Sequence, residues 1–257
     1  MPKLVDFPGF FKRLVYKQQT YALPYELYKK HGIRRYGFHG TSHYYVANRA
    51  AKLTASNSFS CITIHLGNGC SVAAVKNGKC IDTSMGLTPL EGLVMGTRTG
   101  DFDPAILFYL MEHGYDLASL NKLCNKQSGL LGISGESNDI RSLSQLAKEG
   151  HTQAQLAIDI FCYRVKKYIG AYMAALGTLH AIVFTGGIGE NAPGIRTGCC
   201  CDLQPLGITL DADRNQETIG QEGFIQSDES RVQVLVIPTD EEGVIAGDTY
   251  TLTKGYI

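Results

Sequence analysis

The residues most able to do chemistry lie in a few short clusters. Ile64-His65-Leu66-Gly67-Asn68-Gly69-Cys70-Ser71-Val72 ends one apolar run in a glycine turn and starts another at once. Glycine lets a chain approach an anion closely and turn its backbone N–H groups towards it. A second cluster of the same kind follows an apolar run in Phe184-Thr185-Gly186-Gly187-Ile188-Gly189-Glu190-Asn191. Each cluster alone is most simply a turn after a strand. Two of them on one sheet suggest a nucleotide held between them.

Other side chains could complete such a site. His39 and His43 stand four apart at a helix start. That spacing allows a shared metal, although a zinc site would still need a third ligand and no HExxH pattern is present. A helix-entry histidine beside a packing partner is the plainer reading, and a donor to a transferring phosphoryl oxygen is a third. Arg98 sits in Gly96-Thr97-Arg98-Thr99-Gly100-Asp101, where a planar guanidinium can reach a phosphate. Asp139 and Arg141 open a helix, so Asp139 either complements the helix dipole or binds a ribose hydroxyl. Asp240-Glu241-Glu242 follows an apolar strand. It reads as helix N-terminal charge or as a carboxylate ligand of Mg²⁺.

The elements that must position these groups are legible. Cys61–Leu66, Ser71–Lys76 and Lys79–Thr83 read as strands, with a hairpin signal at Asn77-Gly78. Ala181–Thr185 and Val232–Ile237 are further apolar strands. Helices are predicted from Tyr25 to His31, closed by Gly32, and from Thr41 or Ser42 as N-cap to about Leu53. Others are expected from Pro104 to His113 with Asp103 as cap, near 116–126 and near 138–149. An apolar stripe over 152–176 predicts a long core helix. A final short helix starts near 241. Residues 85–102 read as a long glycine-rich loop, and a loop of that length usually has a task. The pattern gives a mixed α/β sheet with helices on its faces, and ligands at the strand ends.

Composition narrows the function classes. The 257 residues carry 24 basic and 24 acidic side chains, with 44% apolar and 19% charged residues. That describes a globular chain able to bury a sizeable core. It offers no overall basic excess to favour nucleic acid, and no apolar run long enough for a membrane helix. The eight cysteines show no paired CxxC spacing, and Cys199-Cys200-Cys201 is a run of three. They read as reduced packing thiols of a cytoplasmic protein, with a metal or redox role for the triple as the alternative. Residues 1–20 stand apart, mixing Phe7, Phe10 and Phe11 with Lys12, Arg13 and Lys17 without a clear period.

Together these motifs resemble the acetate kinase family. Tyr36-Gly37-Phe38-His39-Gly40-Thr41-Ser42-His43 is similar to its histidine signature, and His65-Leu66-Gly67-Asn68-Gly69 to its phosphate loop. Met95-Gly96-Thr97-Arg98-Thr99-Gly100-Asp101 resembles its arginine loop, and Thr185 to Asn191 its adenosine-side loop. The resemblance covers residues 21–257 and implies the actin-like ATPase, ribonuclease H-like fold. It implies reversible transfer of the γ-phosphoryl of ATP to a short carboxylate, with Mg²⁺ or Mn²⁺, in a homodimer. By motif, His39 and Arg98 would stabilise the phosphoryl group in flight. His65, Leu66, Gly67, Asn68 and Gly69 would cradle phosphates. Asp139, Ile140, Arg141, Gly187, Ile188, Gly189, Glu190 and Asn191 would hold the nucleoside side. Glu241 resembles the magnesium-linked glutamate, with Glu242 as its neighbour.

The family's amino-terminal half supplies an asparagine and serine-rich phosphate loop, a carboxylate-gripping arginine and an aspartate in a Phe-Asp-Thr-Ala-Phe-His stretch. Residues 1–20 do not reproduce that stretch. Asp6 stands at about the right distance among unmatched neighbours. The chain therefore reads as a carboxy-terminal lobe joined to an atypical opening segment, with impaired catalysis expected. A propionate or butyrate kinase and an inactive nucleotide-binding or dimerisation module are the alternatives. The helix from about 241 is expected to leave an apolar face uncovered.

Overall fold

The computed structural model describes residues 16–54 and 58–253. Asp6 and most of the opening segment lie outside them. The chain begins with helices α1 (Tyr16–Gln19), α2 (Tyr25–His31) and α3 (Gly40–Thr54). A meander follows, β1 (Ser60–Leu66), β2 (Cys70–Lys76) and β3 (Lys79–Thr83). Then come α4 (Ala105–Glu112), α5 (Leu117–Lys126), α6 (Gly129–Ser134), α7 (Ile140–Lys148) and α8 (Thr152–Leu176). Next are β4 (Ala181–Thr185), α9 (Gly186–Asn191), α10 (Pro193–Cys200) and α11 (Ala212–Glu217). The described chain closes with β5 (Gly223–Phe224), β6 (Gln233–Val236) and α12 (Glu241–Thr253).

The strands form one sheet in the order β3-β2-β1-β4-β6-β5. β1 pairs antiparallel with β2 and parallel with β4, and β4 pairs parallel with β6. Both faces of the sheet are covered, as parallel strands require. The two-residue strand period sorts the side chains. Ile62, Ile64, Leu66, Val72, Ala74, Ile182 and Phe184 pack under α8, through Ala157, Phe161, Val165 and Ile169. Cys61, Ala73, Val75, Ala181, Val183 and Leu235 pack under α3, through Val46, Ala47 and Ala50. The carboxyl ends of β1, β4 and β6 consequently share one edge of the core. The predicted clusters at 67–69, 186–191 and 239–242 follow them.

Several expectations need correction. The second glycine cluster is not simply a turn after a strand. Only Gly186, at φ 77°, makes the turn, and the chain then continues as α9. The capping expectation for Thr41 or Ser42 also fails. α3 already starts at Gly40, with the His39 carbonyl accepting from His43 N–H at 2.9 Å. The Ser42 hydroxyl is used elsewhere, on His65. Asp139 is the N-cap of α7, which starts at Ile140, and its side chain accepts from Arg141 N–H. Helix α6 was not anticipated in its glycine-rich stretch. Its first N–H groups are claimed by tertiary partners, the carbonyls of Met95 and Gly96. Helices α10 and α11 and the short β5 were likewise not foreseen.

All eight cysteines are free thiols, seven buried and Cys201 exposed. Desolvation raises the Cys199 thiol far above its usual range and pushes Cys200 up to about 12. These buried groups stay protonated and act as packing atoms. Among the described residues no helix is long and apolar enough to cross a membrane. α12 packs on α3 and leaves Ile245 and Tyr250 exposed.

Candidate functional site

A cleft of about 560 Å³ opens where β1, β4 and α7 meet. Gly67 and Asn68 line it from the β1–β2 turn, and Gly187, Ile188 and Asn191 line it from α9. Asp139, Ile140 and Arg141 form the facing wall. The segments predicted to hold a nucleotide thus share one cavity. Gly186 makes this possible. A Cβ there would stand 2.7 Å from the Leu66 carbonyl oxygen, so the two turns touch through backbone.

Gly69 marks the second half of the site. A Cβ on it would lie 3.4 Å from Arg98 Nη1 and 3.5 Å from His39 Nε2. The β1–β2 turn, the arginine loop and the α3 entry therefore converge on one point. Arg98 donates to the Pro89 carbonyl at 3.2 Å and pairs with no carboxylate among the described residues. Its charge is left for an anion. His39 sits at φ 61°, a conformation rare for side chains with a Cβ and common at functional sites.

The histidines form a stack. His39 and His65 rings lie 4.2 Å apart at 20°. Burial, then the charges of His65 and Arg98, push the His39 pKa down to about 3. Burial pushes His65 down to about 4. His43 is fully buried and held well below its ordinary value, again chiefly by desolvation. All three are neutral at pH 7. The metal reading of His39 and His43 fails here. Both His43 nitrogens are engaged, by Thr63 Oγ1 at 2.8 Å and Ser71 Oγ at 2.7 Å.

Four predicted residues have particular surroundings. The Glu190 carboxylate accepts from the N–H of Gly186 at 2.8 Å and of Thr239 at 3.2 Å, so it ties β4 to the end of β6. Asp139 is engaged by the Arg141 guanidinium at 2.6 Å, which lowers its carboxyl pKa. Arg141 itself is 90% exposed. Glu241 opens α12, is half-buried, and makes no hydrogen bond or ion pair among the described residues. Burial raises its carboxyl above the ordinary range.

Sequence reasoning missed Asn138, Ala192 and Ser71. Asn138 lines the cleft and donates to Asn68 Oδ1 at 3.3 Å. Its place before the Asp139 cap was a usable signal. Ser71 had none, because its role depends on the strand register that sets it opposite His65.

The model of the acetokinase family matches residues 4–247. The acetate kinase of Finegoldia magna is 50% identical over 247 residues, which is 96% of this chain and 62% of that enzyme. The crystal structure of Porphyromonas gingivalis acetate kinase superposes with a TM-score of 0.91 at 49% identity, over 94% of this chain and 61% of that one. A propionate kinase from Francisella tularensis superposes at TM-score 0.87 and 50% identity, over 92% and 61%. The chain thus spans about three fifths of the length of the relatives it matches.

Proposed function

Because the chain belongs to the acetokinase family, we propose that its cleft takes ATP or ADP and serves phosphoryl transfer between ATP and a short carboxylate, acetate first. Its fold is the actin-like ATPase architecture of the acetate kinase structures. The observation that carries the reading is the convergence at Gly69. An arginine with no carboxylate partner among the described residues and a neutral histidine meet there beside a glycine turn that also lines the cleft.

Phosphoryl transfer asks mainly for positioning and for charge spread over the equatorial oxygens. In this reading Arg98 supplies the positive charge and His39 a neutral hydrogen bond. His65 to Gly69 present backbone and side-chain donors to the phosphates. Asp139 to Arg141 and Gly187 to Asn191 enclose the nucleoside, and Glu190 acts by holding α9 in place. A half-buried carboxylate without a partner among the described residues suits a cation, so Glu241 is the residue we assign to Mg²⁺ or Mn²⁺. Among the described residues no cluster of three or more His, Cys, Asp or Glu side chains is arranged to hold a metal. The ion's other ligands would be phosphate oxygens and water. When bound, such an ion neutralises charge on the phosphates.

Further parts of the reading concern the whole protein. A homodimer is supported by α4, which buries no residue although Phe108 is 67% and Tyr109 59% exposed. Reduced thiols support a cytoplasmic location. Residues 21–257 form the nucleotide-binding lobe of this proposal. In this reading carboxylate binding and turnover depend on closure of two lobes, which normally aligns donor and acceptor.

Purified chain, ATP, acetate and hydroxylamine should yield acetyl hydroxamate, and joining an acetate kinase amino-terminal half to the chain should raise the rate. Propionate as the better substrate would favour the second reading, which the propionate kinase likeness supports. Nucleotide binding without product under either condition would identify a binding module. Failure to bind Mg-ATP or ADP would reject the proposal.

A further inference from the structure

Two chains of hydroxyls and imidazoles end at the glycine turn. In the first, Thr63 Oγ1 lies 2.8 Å from His43 Nδ1, and His43 Nε2 lies 2.7 Å from Ser71 Oγ. Ser71 Oγ then lies 2.8 Å from His39 Nδ1. In the second, Thr239 Oγ1 donates to Ser42 Oγ at 3.0 Å, and Ser42 Oγ lies 2.9 Å from His65 Nδ1.

A neutral imidazole has one N–H and one bare nitrogen, and a hydroxyl has one proton to give. With the rings neutral, the protons in each chain run in one direction. The remote end decides which. The other acceptor in reach of Thr63 is the Ala73 carbonyl at 3.5 Å, too long to compete with a 2.8 Å contact. Thr63 therefore donates to His43 Nδ1, His43 Nε2–H donates to Ser71, and Ser71 donates to His39 Nδ1. In the second chain Ser42 has accepted from Thr239, so its own proton goes to His65 Nδ1. Both directions leave the proton of the terminal ring on Nε2.

Those two nitrogens border the β1–β2 turn. His39 Nε2 is 3.5 Å from the place of a Cβ on Gly69, and His65 Nε2 is 3.7 Å from that on Gly67. The stacked rings hold them side by side.

We propose that Thr63, His43 and Ser71, with Ser42 and Thr239 in parallel, are positioning residues that fix His39 and His65 as Nε2–H tautomers, a pair of neutral donors aimed at one phosphate-bearing turn. The inference rests on the reading of that turn as the phosphate site. The opposite tautomer would present two lone pairs to an anion and repel it. A second-layer partner that fixes a ring's tautomer is a known way to tune a histidine.

Long-range proton–nitrogen correlation spectra of ¹⁵N-histidine-labelled chain test this directly. The expected result is protonated Nε2 and bare Nδ1 for His39 and His65. A His39 ring protonated on Nδ1 would overturn the proposal. Ser71→Ala, which removes the hydroxyl without touching the cleft, should mix the two tautomers of His39. It should also lower hydroxamate turnover at least tenfold at unchanged ADP affinity, and Ser71→Thr should restore both. Should Ser71→Ala unfold, Thr63→Val removes the donor at the remote end with little change of shape, and the same mixing is expected. Unchanged His39 spectra in both variants would also refute it. The spectra need no turnover. Full activity in His39→Gln would therefore sink the catalytic reading of His39, while the tautomer assignment would stand or fall on its own signal.

Discussion

Adjacent glycines at the start of α9 are expected to respond in opposite ways to the same added methyl group. Gly186 has φ 77°, and a Cβ on it would stand 2.7 Å from the Leu66 carbonyl oxygen and 3.1 Å from Leu66 N and C. Those atoms belong to a central strand and cannot move aside. The left-handed conformation costs alanine about 1–2 kcal/mol, and the overpacked contact adds about 1–3 kcal/mol. Gly186→Ala should therefore destabilise the fold by about 2–5 kcal/mol. At about 2–4 °C per kcal/mol for a domain of this size, the melting temperature should fall by roughly 4–20 °C. Gly187 is helical with nothing within 4 Å of its Cβ position, and it lines the cleft. Gly187→Ala should leave stability unchanged or raise it by up to about 1 kcal/mol through helix propensity. Its methyl group enters the space assigned to nucleotide, so ADP affinity should drop by about tenfold, or 1.4 kcal/mol. Thermal unfolding and titration calorimetry on both variants read the two effects separately. A Gly186→Ala chain as stable as the parent would refute the backbone contact. A Gly187→Ala chain with full nucleotide affinity would refute the placement of ligand against α9.

The other expectations concern charge and burial. Arg98→Ala should reduce hydroxamate turnover by about 10³-fold or more while ADP binding persists, because in the proposed function the guanidinium acts on the group in flight; a loss below tenfold would remove Arg98 from the reaction. Arg196 is fully buried and donates to the carbonyls of Gly189, Glu190, Asn215 and Thr218 at 2.6–3.0 Å. Arg196→Met should cost about 3–5 kcal/mol in urea unfolding, since those acceptors would be left unsatisfied. Acid should also destabilise the fold through the histidines. His39 and His65 are held down to about 3 and 4, so from about pH 6.5 downward the unfolded chain binds protons that the folded chain refuses. Stability is therefore full above pH 6.5 and falls as pH drops. The slope is at most about 1.4 kcal/mol per pH unit for each ring, and less where solvent reaches it. Urea midpoints that stay flat between pH 7 and 5 would contradict the burial of neutral rings.

What the sequence made visible was local. Helix α8 runs from Thr152 to Leu176 as its apolar stripe requires, and it stops where Gly177 takes φ 76°. β4 is five buried residues, four of them apolar, and the Asn77-Gly78 hairpin is in place. The glycine clusters pointed to the cleft because each follows a core strand, and parallel pairing of β1 with β4 brings the ends of both to one edge. Less visible was anything set by register or by distant contact. Ser71 reaches two histidines only because β2 folds back on β1 and α3 crosses above them. Asp139 looked equally suited to a dipole or a ribose, and spacing could not show that Arg141 would fold back onto it. Helix α6 was hidden because its glycines argue against a helix locally. It forms where carbonyls of the arginine loop receive its N–H groups.

That exchange explains why a long irregular loop can present Arg98 at a fixed place. Leu130 N–H donates to the Met95 carbonyl at 2.9 Å, and Leu131 N–H to Gly96 at 3.0 Å. Ser128 N–H reaches the Thr97 carbonyl at 3.1 Å, Thr99 N–H reaches Cys124 at 3.1 Å, and the Thr97 hydroxyl reaches Asn125 at 2.9 Å. At the far end the Asp101 carboxylate accepts from Gly92 N–H at 2.8 Å and from the Tyr168 hydroxyl at 2.7 Å. Gly129, at φ 63°, packs against the Met95 and Arg98 backbones where no Cβ would fit. The loop is therefore stitched to α5, α6 and α8 on several sides, and its conformational entropy is lost during folding rather than at each turnover. A guanidinium carried on such a loop is pre-positioned for an anion, which is the form of electrostatic stabilisation that costs least when the reaction occurs.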